Sequence, residues 1–143
     1  MSLRRPVRLA ADGLQGLGRG PQHLKHEVVR IRGPLEGCKE PLLLALCKRT
    51  FKARAIIFSR TKQQAHRLKL LLGLAGMPAA ELHGDLTQAQ RLESLEQFRR
   101  GEAAFLVATD VAARGLDIVG VDTVINFDCP RQLNTYVHRV GRT

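Results

Sequence analysis

Phe105-Leu-Val-Ala108 is an uninterrupted apolar run that turns polar abruptly at Thr109-Asp110. No other stretch limits the possible folds so much. A strand with one wet face alternates apolar and polar residues, whereas a run without alternation has to be covered on both faces, as in a parallel sheet. A short Val-Ala-Ala turn follows, and then Arg114, Gly115 and Asp117. Open α/β sheets bind ligands at the carboxyl ends of their strands. A buried strand ending in Thr-Asp, followed by a glycine between a cation and a carboxylate, marks a site at such an edge.

The rest of the chain repeats this arrangement. His26 to Ile31 is short and β-branched and reads as a strand. Pro41 to Phe51 reads as a helix with apolar residues 42, 45 and 46 toward a sheet, and Ala53 to Ser59 as a second buried strand. Thr61-Lys-Gln-Gln64 is a capping-box pattern, after which Ala65, Leu68, Leu72 and Ala75 recur at helical spacing until Gly76-Met-Pro78. Ala79 to His83 reads as a strand. Thr87-Gln-Ala-Gln90 is a second capping box, opening a helix whose Leu92, Leu95 and Phe98 face the core and which stops at Gly101. Phe105 to Asp110 and Thr123 to Asp128 are further strands, and Asn134 to Arg142 is expected to be helical. Strands alternating with helices of this length imply βαβ units and an α/β fold with an open, mostly parallel sheet and helices on both faces. Residues 1–24 mix Arg, Gly, Pro and Leu without a period and read as a linker or N-terminal arm, with an organelle transit peptide as the alternative. Residues 25–143 are expected to form one domain that is truncated at the C-terminus, because the pattern ends within a helix.

The formal charge of +10 favours a polyanion partner, nucleic acid first, against a merely basic solubility surface. With no Trp and one Tyr, base stacking on an aromatic platform is not the expected mode of recognition. No apolar run approaches the ~20 residues of a membrane span, so no membrane partner is expected. Cys38, Cys47 and Cys129 form no CxxC pair and lie at no zinc-finger spacing from a histidine, so neither a metal nor a disulfide is expected.

Gln88 and Arg91 are three apart in the first turn of a helix and share a face. That turn also offers free N–H groups and the positive end of the helix dipole to an anion. Gly84, just before it, permits close backbone approach. The plainer alternative is a capped surface helix with a solvated Arg91. Arg60 follows one strand end, Gly84 another, and Thr109-Asp110 a third. Three polar, partly basic loops on one edge suit a sugar–phosphate backbone, which hydroxyls, N–H groups and arginines grip without reading sequence. Asp117, placed after Gly115, can accept hydrogen bonds from ribose hydroxyls, or simply cap a turn. Arg139 and Arg142 sit in a helix that can be offered to a second domain, where an arginine neutralises charge on a transferring phosphoryl group; the alternative leaves both in solvent.

These segments resemble, in order, motifs of the DEAD-box RNA helicases. Ile56-Ile-Phe-Ser-Arg-Thr61 is similar to motif IV, and His83-Gly-Asp-Leu-Thr-Gln-Ala-Gln-Arg91 to the Gln-x-x-Arg motif. Phe105 to Asp117 is similar to motif V, and His138-Arg-Val-Gly-Arg-Thr143 to motif VI, with His138 where related helicase groups tend to carry Gln. The resemblance implies the second, C-terminal RecA-like domain of an ATP-dependent RNA helicase. It implies RNA contacts at Arg60, Gly84, Gln88, Arg91, Thr109 and Asp110, and ATP contacts at Gly115 and Asp117. Arg142 is implied as an arginine finger, with Arg139 and His138 beside it in the catalytic apparatus. Single-stranded or duplex RNA and an N-terminal RecA-like domain of the same protein are the implied partners. No G-x-x-x-x-G-K-[ST] loop and no Asp-Glu-Ala-Asp occurs. The Mg²⁺ that accompanies ATP is therefore expected on the first domain, and the chain alone is expected to be inactive. Glu81 to Glu93 and Lys62 to Arg67 are most similar to the nucleolar subgroup that acts in ribosome biogenesis, which implies a nuclear, nucleolar location (alternative: an organelle). A stand-alone basic RNA-binding module without ATPase activity is the competing reading, and a DNA-acting relative is a third.

Overall fold

The structure is a computed structural model that describes residues 37–114 and 120–128 together with Val29, Ile31, Leu116 and Ile118. The chain separates into two compact units, Met1–Lys39 and Glu40–Thr143. In the first, Val29 and Ile31 belong to no strand or helix, and the rest of the strand expected over 26–31 lies outside the described residues. The elements run α1 (Lys39–Arg49), β1 (Ala55–Ser59), α2 (Lys62–Leu74), β2 (Ala79–Leu82), α3 (Gln88–Arg99), β3 (Phe105–Thr109), α4 (Asp110–Ala113) and β4 (Thr123–Asn126). The four strands form one sheet in the order β2-β3-β1-β4, and every pairing is parallel.

The apolar runs account for that order. Every residue of β1 is buried, as are Phe105 to Ala108 of β3, and these are the two interior strands. The edge strand β2 alternates half-buried and buried residues instead. Side chains divide by parity across the sheet. Ala55, Ile57, Phe105 and Val107 pack with Leu43 and Cys47 of α1 and with Ala65, Leu68 and Leu72 of α2. Ile56, Phe58, Ala80, Leu82, Leu106 and Ala108 pack on the other face, with Phe98 of α3 and Ala112 and Ala113 of α4. Both faces are covered, as the absence of alternation requires. Each large side chain fully buried this way contributes about 1.5–3 kcal/mol.

Several local expectations are corrected. In α1 the buried residues are Leu42, Leu43 and Cys47, whereas Ala45 and Leu46 are half-buried. The continuous Leu-Leu-Leu-Ala-Leu run hides the true stripe, and packing on the sheet selects the 43/47 pair. At α2, Thr61 accepts from the Gln64 N–H at 3.1 Å, but the Gln64 side chain turns to Glu40, so only half of the capping box forms. Ala75 is exposed and caps that helix. At α3 both halves of the box are present, yet Leu92 is 58% exposed, and Phe98, with the partly buried Leu95, makes the contact. Asp110 to Ala113, expected as the end of a strand and a turn, is the short helix α4. The helix expected over 134–142 lies outside the described residues.

At the opposite edge of the sheet from the strand ends, Arg54 and Gly120 lock the β1 and β4 entries together. Arg54 adopts φ 55°, a conformation that costs a non-glycine residue roughly 1–2 kcal/mol. Its carbonyl accepts from Asp122 and Thr123 N–H at 2.9 and 3.4 Å, and its Nε donates to the Gly120 carbonyl at 2.5 Å. Gly120 has φ 81°, and a Cβ there would fall on the Arg54 guanidinium.

Candidate nucleic-acid interface

Parallel pairing puts all four strand C-termini on one edge. Ser59 is level with Thr109, Leu82 with Ala108, and Phe58 with Asn126. The loops that begin at Arg60, His83, Asp110 and Phe127 therefore emerge side by side. This is where sequence reasoning placed its polar loops.

The Arg60 loop is braced from within. The buried Ser59 hydroxyl donates to the Thr61 carbonyl at 3.1 Å, and the Arg60 N–H donates to Asp128 Oδ2 at 2.8 Å. Phe127 and Asp128 N–H groups in turn donate to the Phe58 carbonyl at 3.0 and 3.3 Å. The backbone of Arg60 is held while its side chain stays exposed. Asp128 was not singled out from the sequence. Its signal was positional, since a carboxylate just past the fourth strand end has to reach this same edge.

In the loop between β2 and α3, Gly84 is exposed, and a Cβ added there would meet nothing within 4 Å. Its φ is not in the left-handed region. Neither backbone conformation nor packing inside the chain requires glycine here. Gln88, the first residue of α3, is exposed. Arg91, one turn on, is half-buried, with its Nε shielded from water and without an acceptor among the described residues. A freely solvated arginine does not describe it. An unpaired donor on a cation is a costly arrangement, which an oxygen of an anionic ligand relieves if it reaches that nitrogen.

Thr109 ends β3 at the N-cap of α4, half-buried, and its side chain makes no capping bond. Asp110 is half-buried as the first residue of α4, and Arg114 beyond it is exposed. Arg60, Gly84, Gln88, Arg91, Thr109 and Asp110 are thus carried by three adjacent strand ends. Gly115, Asp117, His138, Arg139 and Arg142 lie outside the described residues, as does Cys129.

Behind the loops, on the α2 side of β2, lies a polar cluster that sequence reasoning missed. Glu81 Oε2 lies 2.9 Å from His66 Nδ1 and 3.1 Å from His83 Nε2, with Lys69 Nζ 3.7 Å from Oε1. Burial pushes the Glu81 carboxyl up. Hydrogen bonds from His66 and His83, with the electrostatic pull of His66 and Lys69, outweigh it and leave the carboxyl below its ordinary value. The available signal was parity: residues 81 and 83 point to the same face as Ala79, under α2. Lys62 and Asp85 form a further, exposed pair at 2.9 Å between α2 and the same loop. Among the described residues no group of three or more metal-type ligands is placed to hold an ion. The buried Cys47 thiol is pushed up to about 12 by desolvation and stays protonated, while Cys38 is half-buried.

The model of the helicase conserved C-terminal domain matches residues 38–143. DEAD-box ATP-dependent RNA helicase 28 of Arabidopsis thaliana is 64% identical over 143 residues, which is 100% of this chain and 18% of that protein. The chain thus spans about a fifth of the length of such curated relatives. Among solved structures, the E. coli DEAD-box protein SrmB, bound to regulator of ribonuclease activity A, superposes with a TM-score of 0.69 at 44% identity. That match covers 73% of this chain and 62% of the SrmB chain in that structure. S. cerevisiae Dbp5 bound to RNA and ADP BeF3 gives a TM-score of 0.66 at 37% identity, over 75% of this chain and 29% of Dbp5. A parallel sheet covered on both faces, with its polar loops gathered at the strand ends, is the same architecture reached from the residues alone, and the chain belongs to the helicase conserved C-terminal domain family, as a RecA-like C-terminal domain of the DEAD-box type.

Proposed function

We propose that this chain is the RNA- and ATP-binding C-terminal half of an ATP-dependent RNA helicase that acts in ribosome biogenesis or rRNA processing in the nucleolus. The observation that carries the RNA half is the convergence of three polar loops at one sheet edge. Gly84 is open to outside approach there, and Arg91 has an unmatched donor. In this reading Arg60, Gln88, Arg91 and Thr109 contact the sugar–phosphate backbone, and Gly84 lets it come close. Asp110, at the head of α4, belongs to the same RNA-contacting set.

The ATP half rests on the motif resemblance. Gly115 and Asp117 hold the ribose end, and His138, Arg139 and Arg142 face a first RecA-like domain of the whole protein. Arg142 meets the charge that develops on the phosphoryl group being transferred. Mg²⁺ is held by that first domain. The nucleolar assignment rests on the likeness of Lys62 to Arg67 and Glu81 to Glu93 to the ribosome-biogenesis subgroup.

The test of the RNA half is salt. Neutralising single-strand phosphates releases counterions, so log affinity for single-stranded RNA falls by about 0.7 per log unit of salt for each phosphate contacted. Wild-type chain is expected to show several such contacts and little sequence preference. Arg91→Ala is expected to weaken binding and reduce the slope by about one contact. Affinity that is flat between low and physiological salt, or an Arg91→Ala slope equal to wild type, removes the proposal's support.

A further inference from the structure

His66, Glu81 and His83 are not members of the RNA-contacting set, yet their arrangement is specific. One carboxylate oxygen meets two imidazole nitrogens, Nδ1 of His66 and Nε2 of His83. An ionised carboxylate only accepts hydrogen bonds, so both of those nitrogens carry protons. His66 is thereby fixed as the Nδ1–H tautomer and His83 as the Nε2–H tautomer. The remaining nitrogen of His83, Nδ1, is buried without a partner among the described residues.

The cluster stands between two of the three loops. His66 and Lys69 belong to α2, whose N-cap is Thr61, the end of the Arg60 loop. His83 immediately precedes Gly84, and its carbonyl accepts from Leu86 N–H at 3.3 Å one turn before the Thr87 cap of α3. The Lys62–Asp85 pair crosses the same gap. The spacing between the Arg60 loop and the Gly84–Arg91 loop is therefore held by side chains of α2 and β2, on top of the sheet itself. Successive phosphates of a nucleic acid strand lie within a narrow range of distances, so two loops that grip them in tandem need a matched separation.

We propose that Glu81 is a positioning residue for RNA binding: through His66 and His83 it couples α2 to the β2–α3 loop and sets the separation of two phosphate-gripping loops. The inference rests on the RNA reading given above. Its structural half is measurable without RNA.

Imidazole nitrogen spectra of the chain at pH 8, where an ordinary histidine is neutral, are expected to show His66 as Nδ1–H and His83 as Nε2–H. Glu81→Ala is expected to abolish this assignment and weaken single-stranded RNA binding by about 10-fold, the loss of a charge-assisted pair of hydrogen bonds. Glu81→Gln keeps an acceptor oxygen and is expected to stay within about 3-fold of wild type. His66→Ala removes an exposed side chain and is expected to cost about 3-fold; it decides the matter if Glu81→Ala does not fold. His66 found as Nε2–H in the wild type overturns the inference. So does RNA affinity within about 2-fold of wild type for both Glu81→Ala and His66→Ala. If the wild-type chain binds no RNA while the tautomers are as expected, the RNA reading and the positioning role both fall, and only the hydrogen-bonded cluster stands.

Discussion

Two glycines show how one residue type serves opposite ends of the sheet. At Gly120 the backbone is left-handed and the space of a Cβ is filled by Arg54. Gly120→Ala has to break the Arg54 contact and strain the backbone together, and is expected to destabilise the chain by about 2–4 kcal/mol. At Gly84 neither constraint exists. Gly84→Ala is expected to leave the thermal midpoint within about 2 °C of wild type and yet weaken RNA binding. Thermal melts with RNA titrations on both variants check the contrast. A large drop in midpoint for Gly84→Ala means that the glycine serves the fold and not a ligand.

Among the elements, α1 depends on a tie that the sequence conceals. Glu40 accepts from Arg67 Nε at 2.7 Å and Nη2 at 3.0 Å, with Gln64 Nε2 at 3.3 Å, and so pins α1 to α2. The hydrogen bond from Arg67 holds the Glu40 carboxyl below its ordinary value against the opposing effect of burial. A carboxylate whose folded pKa is depressed contributes stability above its unfolded value of 4.5, and that contribution is lost as pH falls through the folded value. Arg67 is well exposed, so solvent screening keeps the amount small. Melting curves from pH 7 to 3 are expected to fall more gently below pH 4.5 for Glu40→Gln than for wild type; parallel curves mean that the pair contributes nothing.

The same tie explains what the sequence could and could not reveal. The four described strands and the longer helices were legible because uncharged runs and capping residues are local signals. The apolar stripe of α1 was not, since Leu42 to Leu46 is apolar all round and only the sheet decides which side it buries. The diversion of the Gln64 side chain from its own cap to Glu40, 24 residues away, is a tertiary choice with no local trace. At the site, loop positions followed from strand ends alone. The pairing of Glu81 with His66 depended on which helix covers the edge strand, and no spacing announces that.

At the scale of the whole molecule, the two functional halves separate by the kind of defect each produces. In the full-length helicase proposed above, Arg142→Lys keeps the charge but loses the planar fork that can grip two phosphoryl oxygens. ATP turnover is expected to fall by at least about 100-fold and to stay low when RNA is saturating. On the proposed RNA reading, Thr109→Val removes one hydroxyl and about 1 kcal/mol of RNA binding, so its turnover is expected to recover at saturating RNA. Steady-state ATPase assays across RNA concentration make the distinction. Equal recovery of both variants takes the phosphoryl role away from Arg142.

The strand order β2-β3-β1-β4 also governs how the chain comes into being. Among the described residues β1 pairs with β3 and β4, and Phe105 lies 50 positions after its partner Ala55. At a synthesis rate of about 5–20 residues per second, β1 waits roughly 2.5–10 s for β3, the earlier of these two neighbours. During that interval Ala-Ile-Ile-Phe is an unpaired apolar segment in a nascent polypeptide, while α2 can already form on local contacts. Synonymous codons that speed translation through residues 60–105 shorten that exposure without altering any contact of the finished protein. Slow codons in the same stretch lengthen it, and raise the fraction of chains captured by chaperones or lost to aggregation before a sheet exists.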